Sequence, residues 1–180
     1  MTQIVFETHS ISEDNEVGVA TGWLPGRLSS EGRELAADLG RRRSEDGLAA
    51  VFSSDLTRAV ETASIAFGGR LPILLDWRLR ECDYGDWNGH SREQVHDRRR
   101  DFLDQRYPGG ESWRAATARV AGFLDGLPAR WSGRRVLVIG HLATRWAFDE
   151  VLAGVPLENS LDEDFTWRPG WEYVLTPTDR

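Results

Sequence analysis

The 180-residue sequence has no lysine and a single cysteine, and these two absences remove several kinds of chemistry. All 22 basic residues are arginines, so neither a Schiff-base lysine nor the lysine of a phosphate-binding P-loop can operate here. Cys82 has no partner for an internal disulfide, and no CxxC pair exists for zinc or redox chemistry. We therefore expect a protein of a reducing compartment, the cytoplasm, with no metal and no cofactor.

The sequence also has no long apolar run and no excess of positive charge. No segment approaches membrane-spanning length, and the first residues lack a basic stretch followed by an apolar one, so we expect neither a membrane anchor nor a signal peptide. The net charge of −7 argues against general nucleic-acid binding, because phosphate backbones favour a basic protein face. A small anionic ligand is still compatible, since a local group of arginines can outweigh the overall charge.

The composition that is present is that of a folded domain. Hydrophobic residues make up 40% of the chain and charged residues 28%, and no linker or repeat divides residues 1–180, so we expect a single domain. Strand-like and helix-like segments alternate along the sequence. This alternation predicts an α/β fold, a three-layer sandwich in which helices flank a mostly parallel central sheet.

Apolar runs, capping residues and glycine or proline breaks locate the individual segments. The predicted strands cover residues 4–8, 48–52, 71–75, 135–140, 165–167 and 171–175. The first predicted helix begins near Ser29 or Ser30. Four further helices are predicted over residues 56–67, 91–105, 111–127 and 142–152. Asp55 is expected to cap the helix that starts at residue 56.

Three polar residues lie at or just past the ends of predicted strands. His9 and His141 each come directly after a strand, and Arg58 lies one turn into the helix that follows another strand. Taken singly, they would be read as a turn histidine, a helix cap and a surface arginine. Because ligand sites in α/β sheets form beyond the carboxyl ends of the strands, their recurrence there favours one shared site.

Together with Glu81, these residues form a set that can transfer a phosphoryl group. A histidine can attack phosphorus if positive charge and N–H donors neutralise the transferring oxygens, which a second histidine and an arginine can supply. A carboxylic acid can protonate the leaving oxygen. Glu81 in LRECDYGDW is the candidate acid, although a lone loop glutamate is more often a solvent-facing residue.

The blocks around these residues resemble those of the histidine phosphatase superfamily, in its phosphoglycerate-mutase-like branch. SSDLTRAVETA (53–63) and LRECDYGDWNG (79–89) match two blocks of that family specifically, and YPGGESW (107–113) and VLVIGHLATR (136–145) resemble two more. The segment THSIS (8–12), with Asn15 after it, resembles the family's first block more weakly. The matches run in order over nearly the whole chain and imply the phosphoglycerate-mutase-like fold.

The resemblance implies a metal-independent phosphatase that hydrolyses a phosphate monoester in two steps. His9 would attack phosphorus and become phosphohistidine, and Glu81 would protonate the departing alcohol and then activate water. Arg58 and His141 would bind the phosphoryl oxygens, with a further hydrogen bond from Asn15. The implied partner is a small phosphorylated substrate, with neither nucleic acid nor membrane, and a homodimer is left open.

Three positions depart from the family's pattern close to the two histidines. Thr8 stands where the family has an arginine, Ser10 replaces the usual glycine, and Leu142 replaces the glycine after the second histidine. Thr8 and Ser10 are kept as phosphate-site candidates. One lost charge-assisted contact removes about 1.5–3 kcal/mol, and Arg145, which shares a helix face with His141, could restore it.

Several alternatives remain compatible with these residues. Arg27 is a second candidate for the missing charge, and Trp23 could stack on an apolar or cyclic leaving group in an enzyme adapted to a different substrate. A degenerate relative could bind a phosphorylated ligand without turnover, although pure binding would not require Glu81. A mutase is the remaining alternative, but known mutases of this family are longer chains, so hydrolysis is favoured.

Overall fold

The computed structural model describes residues 1–163 and 165–176, and within them five strands form one sheet. The strands are β1 (Thr2–Thr8), β2 (Ala50–Ser53), β3 (Ile73–Leu75), β4 (Arg135–Gly140) and β5 (Trp171–Leu175). Their order in the sheet is β3-β2-β4-β1-β5, and every neighbouring pair is parallel except β1 and β5. The predicted mostly parallel sheet is confirmed, with its one antiparallel strand at the edge.

The described residues contain eight α-helices. They are α1 (Glu13–Glu16), α2 (Ser30–Arg42), α3 (Thr57–Phe67), α4 (Arg92–Arg98), α5 (Trp113–Gly126), α6 (Pro128–Trp131), α7 (Leu142–Ala153) and α8 (Leu157–Ser160). Short 3₁₀ turns lie at Trp77–Leu79, Gly85–Trp87 and Arg99–Phe102. No helix in this part of the chain is both long and apolar enough to cross a bilayer.

The alternating side chains of the strands build two apolar layers, one on each face of the sheet. Val5 of β1 packs in a cluster with residues of α2 and α3, whereas Ile4 and Phe6 pack with residues of α5 and α7. All three side chains are fully buried. Because successive residues of a strand point to opposite faces, the near-continuous apolar runs of β1 and β4 require helices on both sides.

A third apolar cluster packs against the largely irregular segment between β3 and α5. It joins aromatic side chains of that segment, such as Tyr84 and Tyr107, to the N-terminal halves of α5 and α7 through Trp113 and Trp146. Cys82 is buried in the same cluster, next to Glu81. The loop that carries the candidate acid is therefore fixed by packing, although it has no regular secondary structure.

The strand register brings three strand ends to the same edge of the sheet. β1 and β4 pair as far as Thr8 with Gly140, and β2 pairs with β4 as far as Ser53 with Ile139. The His9 backbone N–H then donates to the carbonyl oxygen of Gly140 at 3.0 Å, which continues the ladder by one residue. The residues that follow these strands consequently lie side by side.

Several predicted segments differ from the structure. Residues 165–167 form no strand, and the helix predicted over 91–105 ends at Arg98 and continues only as a 3₁₀ turn. Asp55 does not cap α3, because both of its carboxylate oxygens accept hydrogen bonds from Arg80 at 2.7 Å. A bidentate pairing with a guanidinium is a stronger interaction than a helix cap, and it draws the carboxylate away from the helix end.

Two helical glycines should respond oppositely to alanine substitution. A Cβ on Gly32 in α2 would lie 1.9 Å from the carbonyl oxygen of Ile11, whereas a Cβ on Gly122 in α5 would meet nothing within 4 Å. We expect Gly32→Ala to destabilise the protein by about 1–3 kcal/mol through overpacking. Gly122→Ala should stabilise it by about 0.5–1 kcal/mol, since alanine is the better helix former.

Urea unfolding followed by circular dichroism measures both changes. Equal effects of the two substitutions would contradict the close packing of α2 against the chain that follows β1.

Candidate active site

His9, Arg58 and His141 meet at the carboxyl edge of the sheet, as their positions after strands predicted. The centroids of the two imidazole rings are 5.0 Å apart, with an angle of 51° between the ring planes. The Arg58 guanidinium lies between them: Nε is 3.2 Å from His9 Nε2, and Nη2 is 3.3 Å from His141 Nδ1. One arginine thus contacts both histidines directly.

The hydrogen bonds of His9 fix which ring nitrogen carries the proton. Its Nδ1 is 2.7 Å from the backbone carbonyl oxygen of Ser10, and only a protonated Nδ1 can donate to a carbonyl. Nε2 is then unprotonated, and its lone pair accepts the N–H of Arg58. The chain that turns after β1 at His9 and Ser10 is hydrogen-bonded to α3. The Ser10 N–H donates to Thr62 Oγ1, which itself donates to the Arg58 carbonyl oxygen.

Arg58 and His141 are almost completely buried, at 2% and 1% exposed, yet each keeps one nitrogen without a partner in the part of the chain that the structure describes. Arg58 Nη2 donates to the carbonyl oxygen of Gly22 at 3.0 Å, but Arg58 Nη1 has no acceptor among the described residues. His141 Nδ1 faces a guanidinium donor and so accepts, which leaves its proton on Nε2, and that atom also lacks an acceptor there. Buried unsatisfied donors are costly, and an anion's oxygens would satisfy both.

The turn into α7 places His141 and requires glycine before it. A Cβ on Gly140 would lie 2.5 Å from Thr144 Oγ1, so the first turn of α7 can approach β4 this closely only at a glycine. The same hydroxyl accepts the His141 backbone N–H at 3.2 Å and donates to the Leu79 carbonyl oxygen at 2.9 Å. Thr144 therefore links the second histidine to the segment that leads to Glu81.

The Glu81 carboxyl group lies at the N-terminus of α7, beside His141. Oε1 accepts the backbone N–H of Cys82 at 2.8 Å and of Ala143 at 3.1 Å, and Oε2 accepts that of Leu142 at 3.3 Å. Free N–H groups and the helix dipole make this position favourable for a carboxylate. The four residues that the sequence grouped, His9, Arg58, Glu81 and His141, therefore surround one region at the strand ends.

Comparison with known proteins gives this arrangement a family. The family model described as "Histidine phosphatase superfamily (branch 1)" matches residues 4–167, which is most of the chain. The chain belongs to the histidine phosphatase superfamily. The resemblance seen in the sequence is thereby confirmed, and so is the enzyme class, a histidine phosphatase.

Individual relatives of this histidine phosphatase include both phosphatases and mutases. "Phosphoserine phosphatase 1" of Hydrogenobacter thermophilus is 31% identical over 87% of this chain and 79% of its own. A 2,3-bisphosphoglycerate-dependent phosphoglycerate mutase of Methylobacterium sp. is 36% identical over 86% of this chain and 82% of its own. Among solved structures, YhfR of Bacillus stearothermophilus has a TM-score of 0.82 at 28% identity, covering 94% of this chain and 88% of its own.

Burial shifts the histidines and the acid of this phosphatase in opposite directions. Removal from water, reinforced by the nearby Arg58 charge, lowers the pKa of His9 to about 3 and holds the pKa of His141 well below its usual value. Removal from water also raises the pKa of Glu81, against the opposing backbone N–H donors and Arg58. Burial likewise lowers the pKa of Arg58. The result is a neutral imidazole at His9 and, in the same site, a carboxyl group that holds its proton more tightly than usual.

The remaining phosphate-site candidates that flank His9 have their own structural contacts. Thr8 ends β1 opposite Gly140, and Ser10 acts through its backbone on His9 and Thr62. Asn15 Oδ1 accepts the Ser12 N–H at 3.0 Å and so completes the capping box in which Ser12 caps α1. This leaves Asn15 Nδ2 without a partner in the described part of the chain. Their phosphate contacts stay predictions, and Asn15 has the free donor that such a contact needs.

Arg145 is not brought into this group. Its guanidinium lies 4.7 Å over the ring of Trp171, and its Nε donates to Asp149 at 3.1 Å. Because an i,i+4 carboxylate pulls the side chain toward the C-terminal end of α7, the guanidinium does not contact His9, Arg58, Glu81 or His141. The structure therefore gives no support for the compensation expected of Arg145.

Two functional contacts were missed by the sequence analysis. Thr62 links the turn after His9 to Arg58, and Arg119 of α5 donates to the backbone carbonyl oxygen of Glu81 at 2.7 Å. The signal for Thr62 was its place inside SSDLTRAVETA, one helical turn after Arg58. The signal for Arg119 was an arginine beside the buried stripe of Ala116, Val120 and Phe123.

No group of three or more His, Cys, Asp or Glu side chains able to hold a metal ion occurs within residues 1–163 and 165–176.

The lowered pKa of His9 predicts a loss of stability at acid pH. An unfolded histidine takes up a proton below a pKa of about 6.5, whereas folded His9 stays neutral until about pH 3, so the unfolded state binds more protons between these values. Stability is therefore lost as pH falls through this window. At pH 5 the contribution of His9 is at most about 2 kcal/mol.

Urea unfolding at pH 7.5 and pH 5 tests this with His9→Gln, which should lose less stability on acidification than the wild type. His90→Gln, at an exposed histidine, is the matched control and should retain the wild-type loss. Identical pH dependence of His9→Gln and the wild type would contradict a neutral buried His9.

Proposed function

We propose that this histidine phosphatase hydrolyses small phosphate monoesters through a phosphohistidine intermediate on His9. The observation that carries the proposal is the pair of buried donors, Arg58 Nη1 and His141 Nε2, that find no acceptor in residues 1–163 and 165–176. Both belong to groups that contact or face His9. A phosphoryl group attached to His9 Nε2 would place its oxygens among these donors. Preorganised donors of this kind are most effective on charge that develops during the reaction.

In the first step, the lone pair of His9 Nε2 attacks phosphorus and the bond between phosphorus and the ester oxygen breaks. The electron pair of that bond goes to the leaving oxygen, which takes the proton of the Glu81 carboxyl group. Arg58 Nε, which donates to His9 Nε2 in the structure, must first release this lone pair and turn to a phosphoryl oxygen.

In the second step, the Glu81 carboxylate takes a proton from water and the water oxygen attacks phosphorus. The bond between phosphorus and His9 Nε2 breaks, and its electron pair returns to the nitrogen. Inorganic phosphate leaves, with His9 neutral and Glu81 protonated as at the start. The raised pKa of Glu81 suits both steps, because the group starts as an acid and its carboxylate is then a stronger base than an exposed one.

The printed names of relatives support this reaction class. Besides the phosphoserine phosphatase, a mycobacterial glucosyl-3-phosphoglycerate phosphatase, solved in complex with VO3, has a TM-score of 0.78 at 27% identity over 88% of this chain and 85% of its own. A vanadium oxyanion is a chemical counterpart of a phosphoryl group. The mutases among the relatives favour a second candidate, phosphoryl transfer to another hydroxyl, which predicts partition of the intermediate to an added alcohol as well as to water.

Removal of the nucleophile should abolish turnover. We expect His9→Ala to lower kcat/KM for 4-nitrophenyl phosphate by at least about 10³-fold, because the variant lacks the imidazole on which the intermediate would form. Acid-labile, base-stable label from ³²P-substrate should appear in the wild type and be absent from His9→Ala. His90→Ala, an exposed histidine, is the control with unchanged turnover.

Phosphate release that survives His9→Ala would refute the proposed mechanism. Tight phosphate binding without release by the wild type would instead indicate a non-catalytic binding protein.

The raised pKa of Glu81 predicts the alkaline limb of the pH profile. As pH rises through that pKa the acid loses its proton, so kcat/KM of the wild type should fall, and no imidazole limb should occur near pH 6.5 because the pKa of His9 is about 3. Glu81→Gln should lower kcat/KM by about 10²–10⁴-fold and flatten the alkaline limb. A retained limb in Glu81→Gln would assign the titration to another group.

A further inference from the structure

The backbone carbonyl oxygen of Glu81 is held by two side chains from distant parts of the chain. Trp23 Nε1 donates to it at 2.6 Å, and Arg119 Nη2 donates to it at 2.7 Å. The guanidinium of Arg119 also lies 5.8 Å from the centroid of the Trp23 ring. Two N–H donors on one carbonyl oxygen restrict the backbone of the very residue that carries the candidate acid.

Arg119 binds more than this single carbonyl. Its Nη1 donates to the carbonyl oxygens of Arg78 at 2.9 Å and Arg80 at 2.8 Å, so the guanidinium contacts three carbonyls in the four residues that end at Glu81. The Arg119 side chain is only 9% exposed. The planar five-donor guanidinium can satisfy several acceptors at once, which a lysine ammonium could not do with the same geometry.

Glu111 continues this network to the other side of Glu81. Its carboxylate pairs with the Arg119 guanidinium, and it accepts the backbone N–H of Asp83 at 3.0 Å. The Glu111 backbone N–H in turn donates to the Asp83 carbonyl oxygen at 2.9 Å. The backbone is thus held both before and after the acid by one ion pair that is mostly shielded from solvent.

We propose that Arg119, together with Trp23, is a positioning residue for Glu81 as proton donor, a proposal that rests on the proposed function. The side-chain carboxyl group is anchored to the N-terminus of α7, and the backbone carbonyl is anchored to α5 through Arg119. With both ends fixed, the carboxyl oxygen has little freedom to leave the position from which it protonates the leaving oxygen. Such geometric restriction is a recognised contribution to catalysis.

A positioning role and a merely structural role differ in their dependence on the leaving group. Phenolate needs the proton of Glu81 much more than 4-nitrophenolate does, because the nitro group stabilises the departing anion. Phenyl phosphate and 4-nitrophenyl phosphate present the same ring and differ mainly in this demand. The values of kcat/KM for the two substrates report the phosphorylation step, since the phosphoenzyme that follows is common to both.

The test compares these two substrates in the wild type and in Arg119→Lys, which keeps the positive charge. We expect kcat/KM for phenyl phosphate to fall by at least about 10-fold, and that for 4-nitrophenyl phosphate by no more than about 3-fold, in line with the usual contribution of a general acid. Trp23→Phe removes only the Nε1 donor. It should lower the ratio of kcat/KM for phenyl phosphate to kcat/KM for 4-nitrophenyl phosphate, as Arg119→Lys does, by about 3-fold. Trp23→Phe decides the outcome if Arg119→Lys does not fold.

Arg114→Lys is the matched control, because Arg114 lies on the same helix but pairs with Asp104 and Glu158. In Arg114→Lys, the ratio of kcat/KM for the two substrates should equal that of the wild type. The same ratio in Glu81→Gln gives the value expected when the proton donor is absent. Equal loss on both substrates in Arg119→Lys and Trp23→Phe, or no loss on either, would overturn the positioning role. Turnover that survives His9→Ala is a different result, which removes the proposed function itself.

Discussion

The site depends on one buried guanidinium that has too few acceptors. Arg58 is 2% exposed, and its hydrogen-bond partners are two neutral imidazoles and the carbonyl oxygen of Gly22. Glu81 and Asp14 act on it only through longer-range attraction. A buried charge without full pairing costs free energy, which the packed sheet and helices must offset. An oxyanion that binds here recovers part of this cost, so the same feature that strains the folded protein favours the ligand.

The same burial prepares two groups for opposite tasks. Loss of hydration disfavours whichever form is charged, so it keeps His9 neutral and raises the pKa of the Glu81 carboxyl group. The proposed mechanism needs a nucleophilic histidine and a proton-donating acid at the same pH, and two exposed groups would have the reverse ionisation between their ordinary pKa values. The α7 N-terminus limits the effect on Glu81, because its N–H donors still stabilise the carboxylate after the proton has left.

The sequence was most informative where the physics is local or repeats along the chain. Apolar runs that end in polar residues located β1 and β4, and the parallel arrangement of these strands then required His9 and His141 to meet. Partner choice among the 22 arginines could not be predicted in this way, because it depends on distances that only the folded chain defines. Asp55 pairs with Arg80 instead of capping α3, and Arg145 pairs with Asp149 instead of approaching the histidines. Asp55 pairs with a distant arginine in preference to the adjacent helix end, whereas helical spacing offered Arg145 both His141 and Asp149, four residues to either side.

Within the described part of the chain, the site has little permanent positive charge. Arg145 is held by Asp149, and Arg119 is committed to Glu111 and to three backbone carbonyls, so neither guanidinium is available to a phosphoryl oxygen. Among the described residues, Arg58 is therefore the one arginine that contacts both histidines. A bound phosphoryl dianion opposes the effect of Arg58 on the pKa of His141, because an adjacent negative charge favours the protonated imidazole.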